Sequence, residues 1–261
     1  MHDILTIKDA LNRSAEFLKT RGSSSPRLDA ELLLGRVLNL PRLQLYLQFD
    51  RPLMETEKEQ YREMLRRRSR HEPVAYILGE KEFMALPFFV NPSVLIPRPD
   101  TEILVEQAGR RIRAFIEEKG RPPVVFEIGV GSGAISVALL TMFADLTITA
   151  GDISAEALAV AGRNAERHGV SSRLELVSGD LFAGAPGPFD MIISNPPYIG
   201  ENARAELSPD ILEHEPAAAL FAGPDGLDVL LRILDEGSKK LSDAGWILLE
   251  IGSDQLPHLI S

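Results

Sequence analysis

The stretch Asn195-Pro196-Pro197-Tyr198 carries the sharpest chemical signal in this chain. It follows the apolar run Met191-Ile192-Ile193-Ser194. Two prolines directly after such a run end a strand ladder and fix the backbone. Pro196 also keeps Asn195 out of the helical region. The chain therefore holds an amide side chain, a free carbonyl and an aromatic ring in one stiff arc. That arc suits a planar NH2 group. The Asn195 side-chain oxygen and the Pro196 carbonyl can each accept one N–H, and Tyr198 can stack on the π-face. An amide or aromatic amine is a weak nucleophile because its lone pair is delocalised. Two acceptors on its hydrogens return electron density to nitrogen and aim it at an electrophile, which is catalysis by positioning and electrostatics. A plain turn could use the same four residues, but the residues upstream decide against it.

Upstream lies Glu127-Ile128-Gly129-Val130-Gly131-Ser132-Gly133, between a strand pattern and a helix pattern. Glycines there let a ligand approach the backbone closely. The spacing is G-x-G-x-G and not the G-x-G-x-x-G of the dinucleotide fingerprint. Asp152 closes the next strand, where a carboxylate takes ribose hydroxyls. Glu127 would repel a pyrophosphate and can hold a cationic amino-acid end instead. Glu127, Gly129, Val130, Gly131, Ser132, Gly133 and Asp152 together favour S-adenosylmethionine over NAD. Asp180-Leu181-Phe182, after the third strand, offers an acceptor for the adenine amine and an apolar wall, although alone it is a common loop. Asn195 would then face cofactor and acceptor together. No other chemistry competes. Histidines 2, 71, 168, 214 and 258 lack metal-ligand spacing, and Ser132 is not in a G-x-S-x-G elbow. The absence of cysteine removes thiolate sites and disulfides.

These residues need a scaffold, and the pattern from residue 122 onward supplies one. Strands are expected at 124–128, 146–150, 174–177, 191–194 and 246–251. Helices are expected at Ala134–Met142, from Ser154 to about residue 168, and at 226–241. This alternation implies an α/β fold with a mainly parallel sheet and helices on both faces. Residues 1–72 read as helical. Leu5, Ala10, Leu11, Phe17 and Leu18, then Leu28, Leu32, Leu33 and Leu38, recur at helical spacing. Ser25-Pro26 looks like a cap with proline at the first helical position. Thr56 and Glu59 form an expected capping box. The helix that follows ends in Arg66, Arg67, Arg68 and Arg70, which suits a solvated helix end better than a partner-contact patch. Residues 73–95, with Phe83, Phe88, Phe89 and Val90 punctuated by Pro87 and Pro92, read as a hairpin or extended linker. The catalytic domain is expected over 96–261, opening on the stiff segment Ile96-Pro97-Arg98-Pro99-Asp100-Thr101-Glu102.

Composition narrows the class further. With 44% apolar and 25% charged residues the chain is globular, and its length supports a core without staples. The longest apolar-leaning stretch, residues 134–144, is broken by Ser136 and Thr141 and is too short to span a bilayer. Met1-His2-Asp3-Ile4 lacks the regions of a signal peptide. A cytoplasmic protein away from membranes is the expectation. The net charge of −10 counts against nucleic acid as the direct substrate, a local basic patch excepted.

At these residues the sequence resembles S-adenosylmethionine-dependent amino methyltransferases with the N-P-P-Y signature. Within that class it resembles the peptide-chain-release-factor glutamine N5-methyltransferases (the HemK/PrmC family). The match covers most of the chain. It includes the helical N-terminal domain, the hairpin linker and the Ile96 to Glu102 segment. That segment is far more family-specific than N-P-P-Y, which DNA adenine and ribosomal RNA guanine methyltransferases share. Ala222-Gly223-Pro224-Asp225-Gly226 and Glu250-Ile251-Gly252 also match.

The resemblance implies a Rossmann-like class I methyltransferase sheet. It implies methyl transfer to the glutamine of the Gly-Gly-Gln loop in bacterial class I release factors. Residues 129–133, Asp152 and Leu181 would line the cofactor site. Asn195, Pro196, Pro197 and Tyr198 would hold the glutamine amide, and the helical domain would dock the release factor. Two departures stand out. Glu127 replaces the family's usual Asp. The sequence also ends at Ser261, soon after the fifth strand, where relatives continue through a helix and two strands. The fifth strand is therefore expected at an exposed edge, and a longer chain is expected to be more stable. The competing readings are an enzyme acting on the exocyclic amine of a flipped adenine or guanine and a binding module without catalysis.

Overall fold

The computed structural model describes residues 5–259. Residues 1–4, read above for a leader, and the last two residues lie outside the described residues. The chain divides into two compact units, one of residues 5–79 with Ser208–His214, the other of Glu80–Leu207 with the remainder.

In the first unit, Thr6 opens α1 (Ile7–Thr20) with a reciprocal cap. The Asp9 N–H donates to the Thr6 hydroxyl at 3.2 Å, and the Asp9 carboxylate accepts from the Thr6 N–H at 3.4 Å. Helices α2 (Pro26–Leu38), α3 (Arg42–Leu47), α4 (Glu55–Arg68) and α5 (Val74–Leu78) follow. Ile7, Leu11, Leu18, Leu33, Leu34 and Leu45 are fully buried in one shared core. Pro26 takes the first helical position as expected, but Ser25 makes no side-chain cap. The capping box expected at Thr56 and Glu59 does not form, and the cap lies two residues earlier, at Met54, whose side chain makes no cap hydrogen bond. The helix starts at Glu55, and the Glu57 carboxylate reaches back to the Met54 N–H at 2.8 Å.

The arginine run also differs from a uniform solvated end. Arg66 is exposed and pairs with Glu63, whereas Arg67 lies on Glu72. Arg68 is buried, with Nε on Asp29 at 2.7 Å and a terminal nitrogen on Asp210 at 2.8 Å. Asp210 belongs to the short helix Pro209–His214, α9 in chain order. Burial works against the Arg68 charge, and the two carboxylates outweigh it and raise its pKa. Consecutive helical residues point about 100° apart, so one arginine of the run turns inward while its neighbours face water.

The second unit begins with a hairpin, β1 (Glu80–Phe83) and β2 (Leu86–Phe89). Its two-residue turn places Met84 and Ala85 at φ of 50° and 57°, the left-handed pair of a tight hairpin turn. The Met84 N–H donates to the Glu102 carboxylate at 2.7 Å. That carboxylate lies in the first turn of α6 (Pro99–Lys119), which starts with proline at its first position.

The sheet comprises β3 (Val125–Ile128), β4 (Ile148–Asp152), β5 (Leu174–Ser178), β6 (Phe189–Ser194) and β7 (Leu241–Leu249). All neighbours run parallel in the order β5-β4-β3-β6-β7. Helices α7 (Ala134–Met142) and α8 (Ala155–Arg167) pack with α6 on one face, against Val125, Met191 and Ile193. Helix α10 (Asp228–Ser238) sends Ile233 to the other face, against Phe126 and Ile192. The α/β expectation therefore stands, with shifted edges. Asp152 is the last residue of β4, so the strand begins later than 146 and delivers its carboxylate directly to the sheet's rim. Strand β7 begins earlier than expected and carries a register shift opposite Phe189 and Met191. It forms one edge of the sheet, where the Arg111 guanidinium covers the half-exposed Trp246 at 3.6 Å.

One buried side chain ties the hairpin to the sheet. Asn164, on the inner face of α8, is fully buried. Its Nδ2 donates to the Phe89 carbonyl at 2.9 Å and to the Ser132 carbonyl at 2.8 Å, while its Oδ1 accepts from the Phe89 N–H at 2.8 Å. Asn164→Ala leaves three backbone groups without a partner. It is expected to cost at least about 2 kcal/mol of stability in denaturant titration, given ~1–3 kcal/mol per orphaned buried group. A loss within a few tenths would contradict that role.

Candidate active site

The site lies where strands β3, β4 and β6 end. From β3 the chain crosses to β4 on one side, and β6 pairs on the other. This switch point opens a crevice at the carboxyl ends of the strands. A cavity of about 580 Å³ occupies it, inside the ~300–1,000 Å³ range of small-ligand sites. Its wall includes the glycine loop, Asp152, Asp180, Leu181, Asn195, Pro196 and Pro197.

The loop after β3 is built by backbone conformation. Gly129, Gly131 and Gly133 adopt φ of 70°, 52° and 80°. A Cβ at Gly129 would meet nothing within 4 Å, so that position needs glycine for its φ alone. Gly133 differs. It caps α7 from behind the wall, and a Cβ there would sit 3.3 Å from Ala161 on α8. Its place is helix packing, and it does not line the cavity. Val130 and Ser132 do. The Gly131 N–H donates to Asp152 Oδ2 and the Ser154 N–H to Oδ1, each at 2.9 Å. Both carboxylate oxygens are thus aimed, with lone pairs left for a pair of hydroxyls.

Glu127 is buried beneath the loop and reaches the cavity wall. Burial pushes its carboxyl up to about 8, the Asp152 charge adds to this, and a donated bond from the Ser136 hydroxyl opposes it. At neutral pH the carboxyl carries its proton until a cation arrives. Asp180 is in the wall, but Arg232 of α10 holds its carboxylate at 2.7 Å. Leu181 lines the cavity. Phe182 does not, because its ring packs 5.6 Å from that of Phe126 in the core. The expected apolar wall therefore loses its aromatic member.

Asn195 follows β6 directly. Its Nδ2 donates to Thr101 Oγ1 at 2.9 Å. The Asn195 Oδ1 and the Pro196 carbonyl accept from no described residue. No fully buried side-chain polar atom among the described residues lacks a partner, so that unpartnered Oδ1 is open to the crevice. Tyr198 is not in the wall. Its hydroxyl donates to Glu250 at 3.1 Å, and its carbonyl accepts from Gln255 Nε2 at 2.8 Å. Burial and the Glu250 charge push the phenol up to about 12, so it keeps its proton. The hydroxyl bond to Glu250 anchors the ring.

Sequence reading missed Thr101, Ser136, Arg232 and Glu250. Two of them had a legible signal. Ser136 interrupts an otherwise apolar helix, and a polar group buried there demands a partner. Thr101 stands in the stiff, family-specific Ile96 to Glu102 segment. Glu250 stands in the matching Glu250-Ile251-Gly252 stretch, but nothing local gives it a role, and the same holds for Arg232.

Two family models match the chain, the PrmC N-terminal domain over residues 9–79 and the Methyltransferase small domain over residues 108–222. A release factor glutamine methyltransferase of Geobacter sulfurreducens is 42% identical over 254 residues, spanning 97% of this chain and 86% of that protein. One of Chlorobaculum tepidum is 41% identical, spanning 96% and 87%. One of Rhodopirellula baltica is 39% identical, spanning 94% and 83%. Among solved structures, the hMettl16 catalytic domain in complex with MAT2A 3'UTR hairpin 1 aligns with a TM-score of 0.53 at 17% identity. That alignment covers 81% of this chain and 73% of that one, and at such identity it speaks for the fold alone.

Proposed function

Because this chain belongs to the release factor glutamine methyltransferase family, we propose that it methylates the side-chain amide nitrogen (N5) of the glutamine in the Gly-Gly-Gln loop of bacterial class I release factors. The methyl donor is S-adenosylmethionine. The observation that carries this reading is the Asn195 amide, fixed at its nitrogen end and open at its oxygen end beside the crevice.

The residues present fit the cofactor. Asp152 offers oriented acceptors for ribose hydroxyls, Glu127 offers a buried acid for an ammonium, and Leu181 with Val229 offers apolar wall for an adenine. Asp152 at the rim and Glu127, a buried carboxyl that can ionise opposite a cation, suit a cationic ligand better than a polyphosphate. When bound, S-adenosylmethionine supplies a methyl group activated on a sulfonium. Asn195 Oδ1 accepts one N–H of the incoming amide, and the Pro196 carbonyl accepts the other. The amide nitrogen is thereby turned toward the cofactor cleft with its lone pair enriched. One amide proton leaves to solvent once the new N–C bond has formed, so no strong base is required. Tyr198 serves through its hold on Glu250.

Purified release factor with labelled S-adenosylmethionine tests the reading, beside a factor whose Gly-Gly-Gln glutamine is replaced by alanine. Undermethylated DNA and ribosomal RNA serve as parallel acceptors. Label on the intact factor alone is the expected result. Label on nucleic acid in its place would move the protein to the base-modifying branch.

Glu127 adds a pH signature. Its carboxyl stays protonated in the folded chain up to about 8, while an unfolded glutamate ionises near 4.5. Between those values the folded state binds the extra proton, so this group makes stability fall as pH rises. Glu127→Gln is expected to abolish that decline and to be more stable than the parent at about pH 8. It is also expected to bind S-adenosylmethionine more weakly, because no charge can form opposite the ammonium. Thermal midpoints and cofactor titrations from about pH 5 to 9 read both effects. Parallel stability curves for the two proteins would refute the assignment.

A further inference from the structure

We infer that Thr101 and Glu250 are positioning residues that set which end of the Asn195 amide faces the substrate. The inference rests on Asn195 acting as an acceptor for an NH2 group, as proposed above.

The two ends of an asparagine amide have nearly the same shape. Only their hydrogen bonds decide which points where. Here the bonds form a chain with one direction. An ionised carboxylate can only accept. Glu250 Oε2 lies 2.7 Å from Thr101 Oγ1, so the single hydroxyl proton of Thr101 is committed to that bond. The Thr101 oxygen can then only accept, and Asn195 Nδ2 donates to it at 2.9 Å. The Asn195 oxygen is thereby turned away from Thr101. The other carboxylate oxygen, Oε1, takes the Tyr198 hydroxyl at 3.1 Å. That phenol remains protonated, so it donates as well.

Every donor in the network thus points toward Glu250. The backbone holds the carboxylate there, because the Glu250 N–H donates to the Ser194 carbonyl at 3.0 Å, one residue before Asn195. Thr101 is buried in the first turn of α6, with Pro99 fixing the start of that helix. The three elements come from distant parts of the sequence and meet at one amide. With the amide reversed, its NH2 would meet the substrate NH2, donor against donor, and the acceptor would be lost.

The test uses the full chain with release factor and S-adenosylmethionine. Thr101→Val keeps the shape and removes the hydroxyl. Glu250→Gln supplies an amide that can donate to Thr101 and reverse the chain. Each is expected to lower kcat at least about tenfold, with KM for the factor and Kd for S-adenosylmethionine within about twofold. One cofactor per chain must still bind, which excludes a misfolded fraction. Thr101→Ser is expected to restore most of the rate. The double variant is expected to be no slower than the slower single one, since both act through one chain of bonds. The inference is overturned if Thr101→Val or Glu250→Gln turns over within twofold of wild type, if Ser is as slow as Val, or if the losses multiply. Failure of the wild-type chain to label the factor would instead sink the proposed substrate. The same variants would then be compared on whichever NH2 acceptor the wild type does label.

Discussion

Asn195→Ala lowers methyl transfer by at least roughly two orders of magnitude, in line with the loss of one preorganised acceptor at a reacting group. The side chain is held from behind by Thr101 and presents its oxygen to the crevice. Its removal takes away the contact that turns the substrate nitrogen and enriches its lone pair. Asp152, Glu127 and the glycine loop stay in place, so S-adenosylmethionine affinity changes by less than about tenfold. Asn195→Asp is expected to do little better. Its carboxylate cannot donate to Thr101, whose proton is already committed to Glu250. Single-turnover rates beside cofactor titrations separate the two effects. Turnover of the alanine variant near the wild-type rate would remove Asn195 from the mechanism.

Arg68→Ala destabilises the helical unit by about 3–5 kcal/mol, the range for removing one partner of a buried ion pair. Asp29 and Asp210 both bond this one guanidinium. Without it, the largely buried Asp29 carboxylate loses its ion-pair partner and faces the Asp210 carboxylate nearby. Asp29 retains the Ser23 hydroxyl at 2.7 Å, which offsets only part of the loss. Arg68→Lys is expected to recover a fraction, because a compact ammonium cannot serve both carboxylates in the planar geometry of a guanidinium. Hydrogen exchange of the amides in α1, α2 and α4 reads the change directly. A loss under about 1 kcal/mol would mean that water reaches the pair.

Much of the architecture was legible because periodicity is local. The alternation of buried runs with helical patterns placed β3, β6, α7 and α8 within a residue or two. The sites of shift are informative. Helix α4 starts at Glu55 because Glu57 reaches back to Met54, a choice between neighbouring carboxylates that spacing alone leaves open. Strand β4 runs to Asp152 because its backbone pairs there with Ser178 of β5, and the carboxylate at its end receives the Gly131 and Ser154 N–H groups. The fates of Phe182 and Tyr198 could not be read either. Each lies in a segment that does line the cavity, and the side-chain direction depends on what packs behind, Phe126 in one case and Glu250 in the other.

The sequence by itself determined the α/β alternation, the glycine loop with its carboxylates, and the stiff Asn-Pro-Pro arc. These follow from backbone sterics and from side-chain chemistry within a few residues. Only the tertiary structure decided the rest. It buried Arg68 between two acids, lifted the Glu127 carboxyl to about 8, paired Asp180 with Arg232, and brought Thr101 and Glu250 behind Asn195. The physical reason is common to all four. A charge or a hydrogen-bond direction depends on partners and on exclusion of water. Both are set by residues tens to more than a hundred positions apart that meet only when the sheet and its helices close.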